Sequence, residues 1–199
     1  NLNLGCPSKT VVTKGKGSGF LAFPEELDCF LDNIFEALGS ELKLSVKTRI
    51  GKERPEEFPR LLEIFNRYPL EELIIHPRVQ KDFYKNTPNL EAFGEALAIS
   101  KNSVCYNGDI FSADDFKRIH AQFPNVECFM MGRGILADPS LAREIRGGKA
   151  ADQSDIRRFH DLLYHTYREE VSGDRNVLFK MKEIWFYLAP MFADSKKYA

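Results

Sequence analysis

The chain has 199 residues, of which 43% are hydrophobic and 29% are charged, and its formal net charge at pH 7 is -1. This balance is typical of a globular protein, and the near-zero charge excludes a strong positive field over the whole surface. Any nucleic acid would therefore bind through a local patch. No apolar run approaches the ~20 residues that span a bilayer, and no signal-peptide pattern is present, so we expect a cytoplasmic protein without a membrane segment.

Strand-like and helix-like segments alternate through residues 1–150. Five short apolar segments predict β-strands. In chain order these are NLNLG, LKLSVKTRI, LEELIIHPR (a strand that ends at His76), SVCYNGDI and VECFMMGRG. A segment of helical periodicity follows each strand: PEELDCFLDNIFEAL, EEFPRLLEIFNRY, NLEAFGEALAIS, SADDFKRIHAQF and DPSLAREIRGG. Successive β–α units of this kind predict parallel strands joined by right-handed crossovers.

Two of the predicted helices carry clear end signals. Ser112 is an N-cap residue with Asp115 three positions on, a pattern close to a capping box. The next helix is predicted to have Asp138 as its cap, Pro139 at its first position and Gly147 as its stop.

Two architectures fit repeated β–α units: an open doubly wound sheet and a (β/α)8 TIM barrel. Polar residues cluster where each predicted strand ends. The clusters are Asn3 to Cys6, Lys47 to Arg49, His76 to Arg78, Asn107 to Asp109, and Gly132 to Arg133. Barrel enzymes build their active sites from several strand ends at the carboxyl face, so five polar endings favour the barrel. Because the chain has no initial methionine, we interpret it as the later part of a longer protein, with about three β–α units absent from its front.

The pattern changes after Gly148. Two amphipathic helices, SDIRRFHDLLYHTYREEV and VLFKMKEIWFYLAPMF, follow without a strand between them, and Gly173 lies in their connection. We therefore predict two domains: the barrel part in residues 1–150, and a small all-α domain in residues 151–199 that is truncated at its C-terminus. Residues 151–199 contain eight basic and eight acidic side chains. Four of the basic residues form either a binding patch or a solvated face: Arg168, Arg175, Lys180 and Lys182.

The four cysteines are widely spread and none belongs to a C-x-x-C pair, so we expect no zinc site. Few cysteines in a chain of this length indicate a reducing compartment. Cys29, Cys105 and Cys128 are expected to be small buried apolar residues. Cys6 differs because it lies between a glycine and a proline at a strand end. Its thiol, with an unperturbed pKa of ~8.5, would suit either a proton donor or a nucleophile, and spacing does not choose between them.

Phosphate binding is predicted at two strand ends. Backbone N–H groups and an arginine fork at Gly132-Arg133-Gly134 suit a phosphate, since a helix begins soon after this turn. Asn107-Gly108 closes the preceding strand. If the chain ends a barrel, these turns follow its last two strands, where barrels often bind phosphate.

Three further residues at strand ends are candidates for ligand contact. Lys47 and Arg49 lie on the same face of one strand by alternation, and paired cations in a barrel mouth are costly unless they meet anionic groups. The alternative for this pair is a salt bridge at the rim. His76 ends the next strand, where a catalytic and a structural histidine are equally compatible with the sequence.

Taken in order, these strand endings resemble the tRNA-dihydrouridine synthase family. The matching segments are NLNLGCPSKTV with its continuation GKGSG, then SVKTRIG, IIHPR, YNGDI and MMGRG. The resemblance runs from the first residue to about Ile145, and the helical tail is similar to the family's RNA-binding domain. It implies a TIM barrel that carries FMN and reduces uridine in tRNA to 5,6-dihydrouridine.

The resemblance also implies roles for particular residues. NADPH would reduce the flavin, reduced FMN would pass a hydride to C6 of a uracil flipped out of its stack, and Cys6 would protonate C5. Lys47 and His76 would contact the isoalloxazine ring, and residues at the later strand ends would bind the phosphate side of FMN. The full cofactor set is Lys47, His76, Asn107, Gly108, Asp109, Gly132 and Arg133. The substrate set is Asn3, Arg49 and Arg78, with Asp109 also bordering the uracil.

Some features depart from the family pattern. Val79 stands where threonine usually follows the H-x-R triplet, and Phe20 makes the glycine-rich segment bulkier. The family draws flavin contacts from its first and third strands, so we expect this chain alone to bind FMN weakly or not at all. Two other functions stay open: a different FMN-dependent TIM-barrel oxidoreductase of the dihydroorotate dehydrogenase type, and a non-catalytic RNA-binding remnant. We further expect a monomer that binds no metal.

Overall fold

A computed structural model describes residues 1–38 and 42–192. Its strands form one parallel five-stranded sheet in the order β1-β2-β3-β4-β5. The strands are β1 (Leu2–Leu4), β2 (Ser45–Arg49), β3 (Glu72–His76), β4 (Val104–Asn107) and β5 (Cys128–Met130). A doubly wound sheet reverses its order at a switch point, whereas barrel strands follow one another in sequence. The strand order thus confirms the predicted α/β class with the arrangement of a TIM barrel.

Helices connect the strands and continue beyond them. They are α1 (Lys9–Val12), α2 (Pro24–Leu38), α3 (Phe58–Phe65), α4 (Leu90–Ile99), α5 (Ala113–Gln122), α6 (Arg133–Ala137), α7 (Leu141–Ile145), α8 (Gln153–Glu170) and α9 (Asp174–Leu188). Short 3-10 turns cover Gly17–Ala22, Pro55–Glu57, Gln80–Asp82 and Ala189–Met191. Among the described residues, no helix has both the length and the apolar character needed to cross a membrane.

The described residues divide into two compact units. The first consists of residues 1–108 and 123–130, and therefore holds all five strands. The second consists of residues 109–122 and the described residues from 131 onward. Within the second unit, Arg143 of α7 pairs with Asp155 of α8 at 3.0 Å. The predicted domain boundary at residue 150 stays a prediction.

The core of the first unit lies between the sheet and its helices. Alternate strand residues such as Leu73 and Ile75 are fully buried. Phe93 of α4 makes edge-to-face contacts with Tyr106 and Phe123, at centroid distances of 4.9 and 5.0 Å. Each buried side chain of this size contributes about 1.5–3 kcal/mol, so this layer fixes the strand positions. The opposite sheet face carries several polar side chains, among them Lys47 and His76, together with the buried Ile74.

Several local predictions are confirmed. The α5 capping box forms, since the Asp115 N–H donates to Ser112 Oγ at 3.1 Å and the Ser112 hydroxyl donates to Asp115 Oδ2 at 2.9 Å. Gly147 has a φ of 82°, as expected for a helix stop. A contact that was not predicted is also present: Phe20 packs against Phe30 of α2 with ring centroids 5.5 Å apart.

The prediction of a helix capped by Asp138 was wrong. Asp138 accepts hydrogen bonds from both the N–H and the hydroxyl of Ser140, at 2.8 and 2.7 Å, and so shapes a loop. The helix after it, α7, begins only at Leu141, and α6 precedes the loop. Five-residue helices such as these give too little periodicity to be located from a sequence.

The prediction that three cysteines are buried is confirmed for Cys105 alone. Cys29 and Cys128 are both exposed. On α2, Leu27 and Leu31 are fully buried, and Cys29, two positions from each, falls on the other side of the helix. Cys128 is the first residue of β5, which pairs only with β4 within the described sheet.

Candidate active site

Predicted site residues converge at the carboxyl ends of β1 to β4. In the register, Asn3 is opposite Lys47, and Arg49 is opposite His76. Neighbours in register on parallel strands point to the same face of the sheet, and alternate residues along a strand do so too. These four side chains consequently share one face, away from the core layer.

The turn that carries Cys6 is fixed from both sides. Asn3 Oδ1 accepts hydrogen bonds from the N–H groups of Gly5 and Cys6, both at 3.1 Å. The Ser18 N–H and hydroxyl both donate to the Cys6 carbonyl oxygen, at 3.1 and 2.8 Å. Gly17 has a φ of 56°, and a Cβ there would lie 2.8 Å from that same oxygen, so only glycine fits. The half-buried Cys6 thiol is thereby held at the end of β1.

Arg49 links two loops to the end of β2. Its side chain is 1% exposed. The guanidinium donates from Nε to the Gly5 carbonyl at 3.0 Å, from Nη1 to the Val79 carbonyl at 2.8 Å, and from Nη2 to the Phe83 carbonyl at 2.7 Å. Burial lowers the pKa of Arg49 from its ordinary value, while the nearby Tyr84 opposes this shift. The predicted contact between Arg49 and substrate stays a prediction.

His76 and Arg78 form a second buried group. They are 5% and 2% exposed, and Arg78 Nη1 lies 3.1 Å from His76 Nε2. Because a guanidinium can only donate, Nε2 must accept, which leaves the proton on Nδ1 of a neutral imidazole. The Arg78 Nε donates to the Asn86 carbonyl at 2.5 Å, and the His76 ring stacks on Tyr84 with centroids 6.1 Å apart.

Lys47 is a half-buried cation. Burial, followed by the nearby positive charge of Arg49, lowers the pKa of Lys47 to about 8. Within residues 1–38 and 42–192 it forms no salt bridge. A partly buried ammonium without an anionic partner is costly, so this position suits an anionic or strongly polar ligand. Lys47 and Arg49 thus differ, since only the arginine has its donors satisfied by the protein.

The end of β4 is also ordered by side-chain and backbone contacts. The Asn107 Nδ2 donates to the Met130 carbonyl at 2.8 Å and so links β4 to β5. A Cβ at Gly108 would lie 3.0 Å from the Tyr106 hydroxyl oxygen and 3.2 Å from Pro88. A larger residue would therefore displace this backbone.

The remaining predicted residues lie in the second unit. Arg133 Nη2 is 2.6 Å from Asp109 Oδ1, and its guanidinium lies 5.1 Å from the centre of the Phe111 ring. Gly132 directly precedes α6 and has an ordinary negative φ. Asp109 has a φ of 29°, which is uncommon outside glycine. The phosphate contacts predicted for Gly132 and Arg133 stay predictions.

Several basic residues of the helical segment that were predicted to form a patch contact other side chains. Arg168 lies over the ring of Tyr164 at 5.9 Å, and Arg175 lies over the ring of Phe179 at 5.5 Å. Lys180 pairs with a glutamate one turn on, at 3.5 Å. The first two arrangements combine a cation with an aromatic surface, which is a common feature of nucleic-acid contacts.

Sequence reasoning missed two residues of the candidate site. Tyr84 contacts both Arg49 and His76, and Ser18 fixes the Cys6 carbonyl. Neither stands in a periodic segment, so no pattern pointed to them. Ser18 lies within the glycine-rich GKGSG run, and this run was the only sequence feature near it. The structure accounts for the glycines, since a Cβ at Gly17 would meet the Cys6 carbonyl oxygen.

Sequential parallel strands with a thiol, a lysine and a histidine at their carboxyl ends define an α/β protein with the strand arrangement of a TIM barrel. Comparison with known proteins gives the family. The family model described as dihydrouridine synthase (Dus) matches residues 1–193, and the chain belongs to this family.

Three relatives illustrate the match. The tRNA-dihydrouridine(16) synthase of Pseudomonas putida is 27% identical over 163 residues, which cover 82% of this chain and 50% of the relative. The enzyme of the same name from Shewanella oneidensis is 28% identical over 195 residues, 97% of this chain and 61% of the relative. That from Shigella flexneri is 30% identical over 147 residues, 73% and 46% respectively. The chain spans about half the length of the curated relatives it matches.

Proposed function

We propose that the protein is a tRNA-dihydrouridine synthase, which reduces a uridine of tRNA to 5,6-dihydrouridine with FMN as its cofactor and NADPH as its electron donor. The observation that carries the proposal is the half-buried Lys47 ammonium without a salt-bridge partner in the described chain, on the same sheet face as the neutral His76. Family membership and the printed names of the relatives support the same activity.

The residues present suit a flavin. Lys47 offers a cation to an electron-rich ring system, and His76, which would contact that ring, is buried and fixed by Arg78. In the proposed site these two residues hold the isoalloxazine, while Asn107 lies on the phosphate side. Gly132 and Arg133 are proposed, by the family resemblance alone, as phosphate-binding residues. When bound in its reduced form, the flavin supplies the hydride that reduction of the uracil requires.

Cys6 is proposed as the general acid that protonates C5 of the uracil. Its backbone is locked by Asn3 and Ser18, so the thiol is presented at one defined place. A thiol can donate a proton as a general acid, which suits this step. Solvent would then return the proton to the sulfur before the next turnover.

The second unit is proposed to contact the tRNA. Between α8 and α9 there is a groove of 620 Å³ whose lining includes His165, Lys182 and the aromatic rings of Tyr164 and Trp185. Aromatic faces and basic groups together support stacking and phosphate contact. Such a local surface needs no overall positive charge.

The test is substitution of Cys6 in the full-length protein. With NADPH and unmodified tRNA as substrates, Cys6→Ala should lower dihydrouridine formation by about 10²- to 10⁴-fold. Retained flavin absorbance and a retained gel shift with tRNA would show that binding is intact. Cys29→Ala is the matched control, because it removes an exposed thiol on α2, and it should leave turnover unchanged.

Other outcomes would contradict the proposal. Undiminished turnover in Cys6→Ala would remove the thiol from the acid role. Oxidation of dihydroorotate in place of tRNA reduction would assign the site to a different flavin oxidoreductase. A full-length protein that shifts tRNA but takes up no flavin would be an RNA-binding module.

A further inference from the structure

Three metal-ligating side chains meet near the amino-terminal ends of β3, β4 and β5. A carboxylate oxygen of Glu72 and the Sγ atoms of Cys105 and Cys128 all lie within 4.8 Å of one another. Cys105 is opposite Ile74 on one side and opposite Cys128 on the other in the parallel register. The three residues therefore share the sheet face that also carries Lys47. Cys105 and Cys128 lie in the same cross-strand row as Lys47, and Glu72 lies two residues before that row along β3.

The donor set determines which ions could bind. Two thiols and one carboxylate favour Zn²⁺ or a similarly thiophilic cation over Mg²⁺ or Ca²⁺, which prefer oxygen ligands alone. A tetrahedral zinc site with Zn–S bonds of ~2.3 Å places its ligand atoms about 3.8 Å apart. The observed separations exceed this by about 1 Å at most, which rotation of side chains can close.

We propose that Glu72, Cys105 and Cys128 form a zinc site that joins three adjacent strands. Among the described residues no fourth histidine, cysteine, aspartate or glutamate belongs to the group, so water completes the coordination. The proposal departs from the expectation from sequence spacing, because the two cysteines are brought together by strand register and not by a short motif. No step of the proposed uridine chemistry uses these three side chains.

The experiment measures metal binding by the full-length protein, in a reductant that carries no thiol. Zn²⁺ affinity is determined by competition with a chromophoric chelator, and Co²⁺ serves as a spectroscopic probe because thiolate ligands give it an intense charge-transfer band. We expect one Zn²⁺ per chain, a thiolate–cobalt band, and a higher melting temperature with zinc. Cys128→Ser and Glu72→Gln should each weaken Zn²⁺ binding at least ~10-fold.

Cys29→Ser is the matched control, since it removes an exposed thiol outside the group. Its affinity and its cobalt band should equal those of the unaltered protein. The proposal is overturned if the unaltered protein binds no zinc, or if Cys128→Ser and Glu72→Gln bind it with unchanged affinity. Loss of the cobalt band in Cys29→Ser or Cys6→Ala would likewise overturn it, because the metal would then sit elsewhere.

Discussion

Arg49→Met should destabilise the first unit strongly, because it removes three charge-assisted hydrogen bonds at once. The guanidinium donates to the carbonyls of Gly5, Val79 and Phe83 at 3.0, 2.8 and 2.7 Å, and the side chain is 1% exposed. At about 1.5 kcal/mol for each bond to a charged donor, the expected loss is about 4–5 kcal/mol. That is a large part of the ~5–15 kcal/mol by which a typical domain is stable.

The assay is urea denaturation followed by far-ultraviolet circular dichroism. Fluorescence is less suitable, since the single tryptophan, Trp185, lies in the second unit. Arg60→Met is the matched control: Arg60 is 44% exposed in its side chain and pairs with surface glutamates, so its replacement should change the free energy of unfolding little. Arg49→Lys should fall between the two, because one ammonium cannot reproduce a three-way fork.

Two results would refute this account of Arg49. The first is an equal loss of stability in Arg49→Met and Arg60→Met. The second is full stability in Arg49→Lys, which would mean that positive charge alone is needed and that the geometry of the three bonds is immaterial.

Two further predictions concern the same unit. Gly17→Ala should lower the melting temperature more than Gly15→Ala. Both glycines have a positive φ, 56° and 65°, so both substitutions strain the backbone. At Gly17 the new methyl would also lie 2.8 Å from the Cys6 carbonyl oxygen, which adds local strain of about 1–3 kcal/mol. In flavin-free protein, Lys47→Met should raise the free energy of unfolding by up to about 3 kcal/mol below pH 8, because folding lowers the pKa of Lys47 from 10.5 to about 8. The unfolded chain binds more protons between these two values, so the unaltered protein gains stability across that range and the advantage of the variant shrinks.

These predictions are checked by melting curves and by denaturation at several pH values. Equal melting temperatures for Gly17→Ala and Gly15→Ala would contradict the close packing of the glycine-rich loop on the Cys6 turn. An advantage of Lys47→Met that stays constant from pH 7 to beyond pH 10 would contradict the lowered pKa.

The sequence was sufficient for the strand order and for the location of the polar strand ends. Those features rest on local periodicity, and parallel β–α units leave little freedom in how successive strands pair. The partners of Arg49 were beyond sequence reasoning because they are main-chain carbonyls, which every residue has. The meeting of Cys105 with Cys128 depends on strand register, which a single sequence does not encode in any spacing rule.

The Cys6 turn has a consequence for how its chemistry can be probed. Asn3 and Ser18 bind only main-chain atoms of residue 6, so the backbone there does not depend on which side chain the residue carries. Serine, selenocysteine or a longer thiol side chain could therefore occupy position 6 on an unchanged backbone. A series of side chains of graded acidity would then report a Brønsted slope for the proposed proton transfer, without the backbone changes that usually confound such comparisons.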